Sequence, residues 1–578
     1  MGLLGFLHRH EEYAMNPYAD MPWKSRWPKR VPAAFEVPDV SCADVFVESA
    51  RLFQNRPALI YFDTVFSYGM LDDLSSRFMA VLQELKINKG DRVALYMQNL
   101  PAYIIAEYGC WKNGSVVVPM NPMLKEREIE YLINDCSARL IVCEESLFAT
   151  VKNVLDRTPS IERIMTASPL DWYARAGKMP LFMQNVAKKV PEGAMDFREA
   201  VEKTPCGDRP ASLRSRDLAA ISYTSGTTGV PKGALTSHRN HIANALNNAL
   251  WFSLGCSDVF FGFVPWFHMT GANMQTVLPF FVGGAVVSGY RFDPGLALEA
   301  IEKHKITHGV GPITMFIAML NHPEFKKFDL SSIRTLISGG APVPEAVVNR
   351  WEKEAGSYIY NVMGLTESTA PLIFTPPGQR APVDPETGAL SIGIPLPNTE
   401  LKVVDPVEGS RIVPLGEAGE MLVRGPMMVE GYWNKPEETS RTFSDGWCCT
   451  GDIVKMDEDG WVYLVDRKKD MIIASGFKVW PREVEDVLYS HPATREALVV
   501  GVPDAYRGET PKAFVSLKEE YKGKVSREDF LQFCRKHLAA YKIPSDIEFL
   551  DEVPKTASGK VLRRVMREQE LKKAGKTP

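Results

Sequence analysis

The chain has 578 residues, of which 45% are hydrophobic and 24% charged, and a formal net charge of −4. That balance fits a soluble globular protein of two or more domains with ample core. It excludes a nucleic-acid binder driven by bulk positive charge, and no stretch approaches the ~18 uninterrupted apolar residues of a membrane helix.

The first ten residues have no basic region ahead of their apolar ones, so a cleaved secretory signal is not expected. Gly2 invites a lipidation reading, but Phe6 stands where a small hydroxyl residue belongs. Nine cysteines are scattered without C-x-x-C or metal spacing, and Cys448 and Cys449 are adjacent. This usage points to a reducing, cytoplasmic compartment. Residues 1–44 are rich in Trp, Pro and charge and read as an irregular, solvated leader. Trp23 and Trp27 among Lys24, Arg26, Lys29 and Arg30 offer weak peripheral membrane contact as the alternative.

Residues 45–465 read as a large domain. Apolar runs at 92–97, 115–118, 139–143, 285–287 and 335–337 have strand character, and stretches such as 297–305 carry helical spacing. That alternation predicts βαβ units and a mostly parallel sheet. Within it, residues 223–233 read Y-T-S-G-T-T-G-V-P-K-G after an apolar strand at 218–221. Hydroxyl donors, free backbone N–H groups and Lys232 in one loop suit an oligophosphate, and Gly226 and Gly229 let the backbone approach it. Pro231 before the lysine rules out a Walker loop. A helix is expected from Ser237. Its His238 and His241 lack a third ligand nearby, so a solvated or core-satisfied pair is expected rather than a metal site.

From 390 to 465 the pattern changes to short strands at 400–404, 420–424 and 461–465, with Asp459-Gly460 as a hairpin turn. This predicts a small antiparallel barrel or sheet closing the large domain. The charged run 466–470 marks a boundary, and residues 466–578 read as a small α+β domain. It has a helix at 482–489, strands at 497–500 and 513–517, and a helix begun by Ser526 with Asp529.

Five further segments join the hydroxyl-rich loop: S-G-G-A-P at 338–342, M-G-L-T-E-S at 363–368, W-C-C-T-G-D at 447–452, D-R-K-K-D-M-I-I-A-S-G-F-K-V at 466–479, and P-K-T-A-S-G-K-V-L-R at 554–563. Their order and spacing, over roughly residues 45 to 567, resemble the adenylate-forming superfamily of acyl-CoA synthetases, luciferases and peptide-synthetase adenylation domains. The 466–479 segment with Pro481 resembles most the fatty-acid CoA ligase branch. The resemblance implies a large α/β domain of βαβ sheets with a small antiparallel β-barrel, and a small mobile α+β C-terminal domain. The implied activity is ATP-dependent activation of a carboxylic acid, a medium- or long-chain fatty acid, followed by transfer to coenzyme A. An aryl or other carboxylate–CoA ligase, an acyl-AMP ligase loading a separate carrier protein, a luciferase-type oxygenase and a non-catalytic acyl or nucleotide sensor are the alternatives; fold kinship does not separate them.

The same resemblance implies the roles. Thr224, Ser225, Gly226, Thr227, Thr228, Gly229 and Lys232 would hold the β- and γ-phosphates. Glu367 and the Thr224 hydroxyl would hold Mg²⁺, a hard ion that takes oxygen ligands. Thr366 would touch the α-phosphate, Gly340, Ala341, Met363 and Gly364 would border the adenine, and Asp452 with Arg467 nearby would take the ribose hydroxyls. Lys560 would reach in and neutralise charge on the substrate carboxylate and α-phosphate. His268, Met269 and Ala272 would lie along the acyl group, with small Gly271 and Ala272 leaving room for a long chain. Ser475, Gly476, Phe477 and Lys478 would face coenzyme A, and Lys469 would be the hinge. Two positions depart from the family pattern: Met363 stands where an aromatic residue is common, and Ile473 where several relatives carry lysine.

Overall fold

The apolar runs of the large domain become the inner strands of two parallel sheets. The computed structural model describes residues 16–32, 34–175, 179–207, 213–224, 230–385, 388–474, 477–504, 507–555 and 562–573. Among them, a seven-stranded sheet runs in the order Met195–Asp196, Arg163–Ala167, Leu140–Glu144, Arg92–Tyr96, Val116–Met120, Leu218–Tyr223, Gly233–Ser237. Its pairings are parallel except the last, an antiparallel hairpin. A nine-stranded sheet runs Ile394–Pro395, Ala370–Phe374, Ile359–Leu365, Thr335–Gly339, His308–Val310, Val259–Phe261, Ala285–Ser288, Pro57–Tyr61, Thr64–Ser67, with a parallel centre and antiparallel margins. Strands buried on both faces need continuous apolar runs rather than alternation, which is why these segments read as they do.

The helix Pro101–Asn113 is buried along its whole length. Its Ile104, Tyr108 and Trp111 share one core with Val93 and Val117 of the first sheet and Leu59 and Val286 of the second. A helix without a polar face belongs between layers. The helix His238–Phe252 starts as expected, with a capping box between Ser237 and Asn240. His238 and His241 are both buried. His238 Nδ1 accepts the Cys42 N–H at 3.3 Å, and burial pushes His241 down to about 3, leaving it neutral. The pair is core structure.

Residues Glu400–Val404, Gly419–Arg424, Trp447–Met456, Phe443–Ser444 and Val462–Arg467 form a five-stranded antiparallel sheet. Its described pairings form an open sheet without closure into a barrel. The Asp459-Gly460 turn joins two of its strands, as the sequence predicts. The smaller C-terminal domain builds a sheet from Phe477–Val479, Ile472–Ala474, Gly508–Leu517 and Thr494–Asp504, with Asp546–Phe549 added in parallel to Gly508–Leu517. The helices Pro481–Ser490 and Arg527–His537 cover it, the second opened by the Ser526/Asp529 capping box.

The leader departs from expectation. Residues 16–32 lie against the large domain instead of in solvent. Trp23 is completely buried in the short helix Pro22–Arg26. The Tyr18 hydroxyl donates to the Val413 carbonyl at 3.1 Å, and Trp27 Nε1 donates to the Pro395 carbonyl at 2.9 Å. Arg26 pairs with Asp459 at 2.6 Å. Trp23 seats on the glycine of the Asp459-Gly460 turn: a Cβ on Gly460 would lie 2.5 Å from Trp23 Cα, and the φ of Gly460 is +84°. Aromatic burial outweighs the polar composition that suggested solvation. Truncating Trp23 to Ala should therefore cost about 3–5 kcal/mol and expose the leader to protease; an unchanged denaturation midpoint and cleavage pattern would show that the leader carries no stability.

Candidate functional site

The hydroxyl-rich loop joins two antiparallel strands, Leu218–Tyr223 and Gly233–Ser237, with Tyr223 opposite Gly233. The return strand was not legible in the sequence. Residues 225–229 lie outside the described residues, so Ser225, Gly226, Thr227, Thr228 and Gly229 are not located. The two ends of the loop are fixed. The Thr224 N–H donates to the Lys232 carbonyl at 2.9 Å. The Tyr223 hydroxyl donates to Asp135 Oδ2 at 2.6 Å, and the Tyr131 hydroxyl to the Pro231 carbonyl at 3.1 Å. Both braces rise from the helix Glu126–Cys136.

A second chain segment locks this hairpin to the rest of the site. Trp433 N–H donates to the Gly233 carbonyl at 2.7 Å and Leu235 N–H to the Gly431 carbonyl at 3.0 Å. Tyr432 is thereby carried to Lys232 and Glu367. The Lys232 ammonium lies 4.4 Å from the centre of the Tyr432 ring, and the Tyr432 hydroxyl donates to Glu367 Oε1 at 2.5 Å. Burial, and then the Glu367 charge, push the Tyr432 phenol far up, so it stays a donor. One aromatic side chain thus holds a cation on its face and a carboxylate at its tip. Tyr432 was not singled out in the sequence, because nothing local sets it apart from any other aromatic residue.

Glu367 sits on the turn between the strands Ile359–Leu365 and Ala370–Phe374. Thr369 and Ala370 both have positive φ there, +54° and +93°. Two such residues in succession are strained and need outside support. The Thr369 hydroxyl donates to the Met427 carbonyl at 2.9 Å, and Ser368 Oγ accepts the Leu365 N–H at 2.8 Å. Val429 N–H donates to the Glu367 carbonyl at 2.8 Å. Gly364 is close-packed, since a Cβ would meet the Ala370 carbonyl at 2.5 Å. Thr366 is half-buried on the same turn.

Gly340 ends the strand Thr335–Gly339 with φ +77° and open space where a Cβ would project. Ala341 beside it is exposed, and Met363 on the neighbouring strand is buried. Asp452 and Arg467 are direct partners in the antiparallel pairing of Trp447–Met456 with Val462–Arg467. Arg467 Nε lies 2.7 Å from Asp452 Oδ1, and the Asp452 side chain is almost fully buried.

His268 is exposed at the start of the helix Met269–Met274, where its ring accepts the Thr270 N–H at 3.4 Å. Met269 and Ala272 are buried beneath it. Gly271 does not leave room for a ligand: a Cβ there would lie 2.1 Å from the Pro265 carbonyl oxygen. Its missing side chain is filled by backbone, which corrects the expectation that its smallness opens a tunnel.

On the C-terminal domain, Lys478 does not reach the groups above. It lies 3.3 Å from Asp405, and Phe477 stacks on Tyr541 with ring centres 4.7 Å apart. Lys469 is exposed in the turn Lys468–Asp470. Ser475, Gly476 and Lys560 lie outside the described residues. The structure therefore unites Lys232 and Glu367 through Tyr432, bonds Thr224 to Lys232 through the backbone, and separately pairs Asp452 with Arg467.

Residues 46–433 match the family described as AMP-binding enzyme, and residues 483–560 its C-terminal domain. The chain is 37% identical to a long-chain-fatty-acid–CoA ligase of Bacillus subtilis and 38% identical to one of Escherichia coli O6:H1; each comparison spans 95% of this chain and 98% of the relative. Among solved structures, the anthranilate CoA ligase AuaEII in complex with anthranoyl-AMP superimposes with a TM-score of 0.79 at 27% identity, covering 94% of this chain and 99% of that one.

The Gly271 contact gives a direct test. Gly271→Ala should destabilise the protein by about 1–3 kcal/mol through overpacking, read as a lower denaturation midpoint. An unchanged midpoint would mean that the 265–271 backbone yields freely.

Proposed function

The chain belongs to the family of AMP-binding enzymes, and on that footing we propose that it is an AMP-forming fatty-acid–CoA ligase. It activates a medium- or long-chain fatty acid with ATP, giving an acyl-adenylate and pyrophosphate. It then transfers the acyl group to coenzyme A and releases AMP. The observation that carries the substrate reading is the 37–38% identity, over nearly the full chain, to two long-chain-fatty-acid–CoA ligases.

In the first half-reaction a carboxylate oxygen bonds to the α-phosphorus as the bond to pyrophosphate breaks. Negative oxygens converge, so catalysis is mainly positioning and electrostatic stabilisation. Residues 224–229 hold the β- and γ-phosphates by hydrogen bonds, and Lys232 neutralises their charge. Tyr432 keeps Glu367 oriented without spending Lys232 on a direct ion pair with it. Glu367 and the Thr224 hydroxyl are hard oxygen donors, and the described residues contain no group of three His, Cys, Asp or Glu suited to a metal. So sparse a set fits Mg²⁺, which one or two carboxylates and the substrate's own phosphates commonly hold, and which would supply further charge neutralisation. Asp452, oriented by Arg467, takes the ribose hydroxyls. The open side of Gly340, with Ala341, Met363 and Gly364, borders the adenine, and Thr366 meets the α-phosphate. Lys560 bridges the acid's carboxylate and the α-phosphate, and His268, Met269 and Ala272 flank the acyl chain.

In the second half-reaction the coenzyme A sulfur bonds to the acyl carbon as the bond to AMP breaks. The site must first exclude water around a labile adenylate and then admit a thiol. A swing of the C-terminal domain about Lys469 meets both needs, presenting Lys560 first and Ser475, Gly476, Phe477 and Lys478 second. No helix among the described residues is long and apolar enough to cross a membrane. We place the enzyme in the cytoplasm; any peripheral membrane contact falls to exposed Lys24, Lys29 and Arg30, since Trp23 is buried.

Incubation with palmitate, ATP, Mg²⁺ and coenzyme A should yield AMP, pyrophosphate and palmitoyl-CoA, and chelation should stop it; ADP and phosphate as products would refute the adenylate route. Separate half-reactions test the swing. Lys560→Ala should lose adenylation at least a hundredfold, about 3 kcal/mol, while thioester formation from supplied acyl-adenylate persists. Lys469→Pro, which locks φ at the pivot, should slow the thioester step more than adenylation. Equal losses in both halves for Lys560→Ala would leave a single fixed site.

A further inference from the structure

Asp466 lies on the last strand of the five-stranded sheet, Val462–Arg467, three residues before Lys469. Its side chain is 4% exposed, yet its partners come largely from beyond the pivot. Oδ1 accepts the N–H of the adjoining Arg467 at 2.7 Å. Oδ2 accepts the Arg482 N–H at 2.8 Å, in the first turn of the helix Pro481–Ser490, where the helix dipole also favours an anion. The Arg563 guanidinium stands 3.8 Å from Oδ1.

Arg563 is itself the centre of a half-buried cluster. It lies 3.6 Å from Asp470 and is hydrogen-bonded to Glu485, with Nε 3.2 Å from Oε1. Glu485 Oε1 also accepts the Val499 N–H at 2.7 Å. One turn further along the helix Arg563–Lys573, Arg567 donates to the Lys469 carbonyl at 3.3 Å and pairs with Glu509 at 3.0 Å. Arg482, Glu485, Val499, Asp470 and Arg563 all follow Lys469 in the chain. Asp466 and the adjoining Arg467 N–H precede it.

We infer that Asp466 and Arg563 are positioning residues that form a latch across the pivot, favouring the orientation of the C-terminal domain described here over the alternate one. The inference rests on the pivot reading given above. Rotation about Lys469 carries Arg482, Glu485 and Arg563 away as one body, while Asp466 stays on its strand beside Arg467 and Asp452. The Arg482 N–H and the Arg563 charge then serve Asp466 in only one orientation. A contact made in one state and absent from the other shifts the equilibrium between them. After rotation the carboxylate keeps the Arg467 N–H but loses the Arg482 N–H and the Arg563 charge, so the loss is not neutral. A second link crosses the same divide: Lys478 lies 3.3 Å from Asp405, whose carboxyl is held well below the usual range by the backbone N–H groups of Glu408 and Val407 and therefore stays charged. A latch of this kind makes the two half-reactions unequal in their dependence on Asp466, because each requires a different orientation.

The test measures the two half-reactions in the full chain: pyrophosphate exchange into ATP with palmitate, and palmitoyl-CoA formation from synthetic palmitoyl-adenylate. Asp466→Ala should change the ratio of the two rates about tenfold or more relative to the parent. Asp466→Asn, which keeps an acceptor for the Arg482 N–H, should change it less. Arg563→Ala would strip three carboxylates of their cation and endanger the fold, so Arg563→Lys is the second variant; it should move the ratio in the same direction as Asp466→Ala. Equal loss of both rates in Asp466→Ala, no change in either, or opposite directions in the two variants would overturn the latch. Lys469→Pro run alongside separates the causes. If it splits the half-reactions and Asp466→Ala does not, the latch fails and the pivot stands; if Lys469→Pro leaves the parental ratio, the pivot reading fails and the latch falls with it.

Discussion

The site depends on Tyr432 keeping a cation and a carboxylate close without letting them cancel. Lys232 lies over the ring face and Glu367 receives the phenolic hydrogen. In the proposed function, a direct Lys232–Glu367 ion pair would consume the positive charge offered to the phosphates and the oxygen atoms offered to Mg²⁺. Held apart by an aromatic ring, both remain available. This arrangement requires the 431–433 backbone to run beside 233–235, the Thr369–Ala370 turn to be held in its strained form, and the helix Glu126–Cys136 to brace Tyr223 and Pro231. Three parts of the large domain therefore support the position of one side chain.

The proposed nucleotide site is distributed over sheet margins rather than a single loop. Gly340 leaves the carboxyl end of a parallel strand in the nine-stranded sheet, as ligand-facing residues of open α/β sheets commonly do. The loop containing Lys232 caps the edge hairpin of the seven-stranded sheet. Asp452 and Arg467 face each other across a hairpin of the antiparallel sheet. A ligand spanning them would touch all three sheets, with the C-terminal domain attached just beyond Arg467.

Legibility followed the range of the forces involved. The strands read at 92–97, 139–143 and 335–337 were evident because burial on both faces demands an apolar run, and the Ser526 cap because it is a local hydrogen bond. The acidic and basic residues of the proposed site were nominated by their segments and the resemblance those segments carry. The return strand Gly233–Ser237 was not, since Gly-Ala-Leu-Thr-Ser has little strand preference and is held in part by bonds to the distant 431–433 segment. Tyr432 was missed for the same reason. Gly271 was misread because a small residue is equally consistent with space for a ligand and with a backbone already pressed against it. The leader was misread because composition weighs every residue alike, whereas buried Trp23, with Tyr18, Arg26 and Trp27, holds residues 16–32 against the large domain.

That tryptophan has a bearing on how the chain is made. The leader's partners lie at the far end of the large domain; Arg26 bonds to the Asp459 carbonyl across 433 residues of sequence. At about 5–20 residues per second, roughly 20–90 seconds separate the emergence of the two from a ribosome. Through that interval Trp23 and Tyr18 have no native surface to occupy, while the 57–61 strand likewise waits for its neighbour at 285–288. The polar, proline-rich composition of the leader then has a use unconnected with the finished fold. A polar, proline-rich composition favours keeping such an aromatic segment solvated until the turn containing Gly460 arrives to receive it.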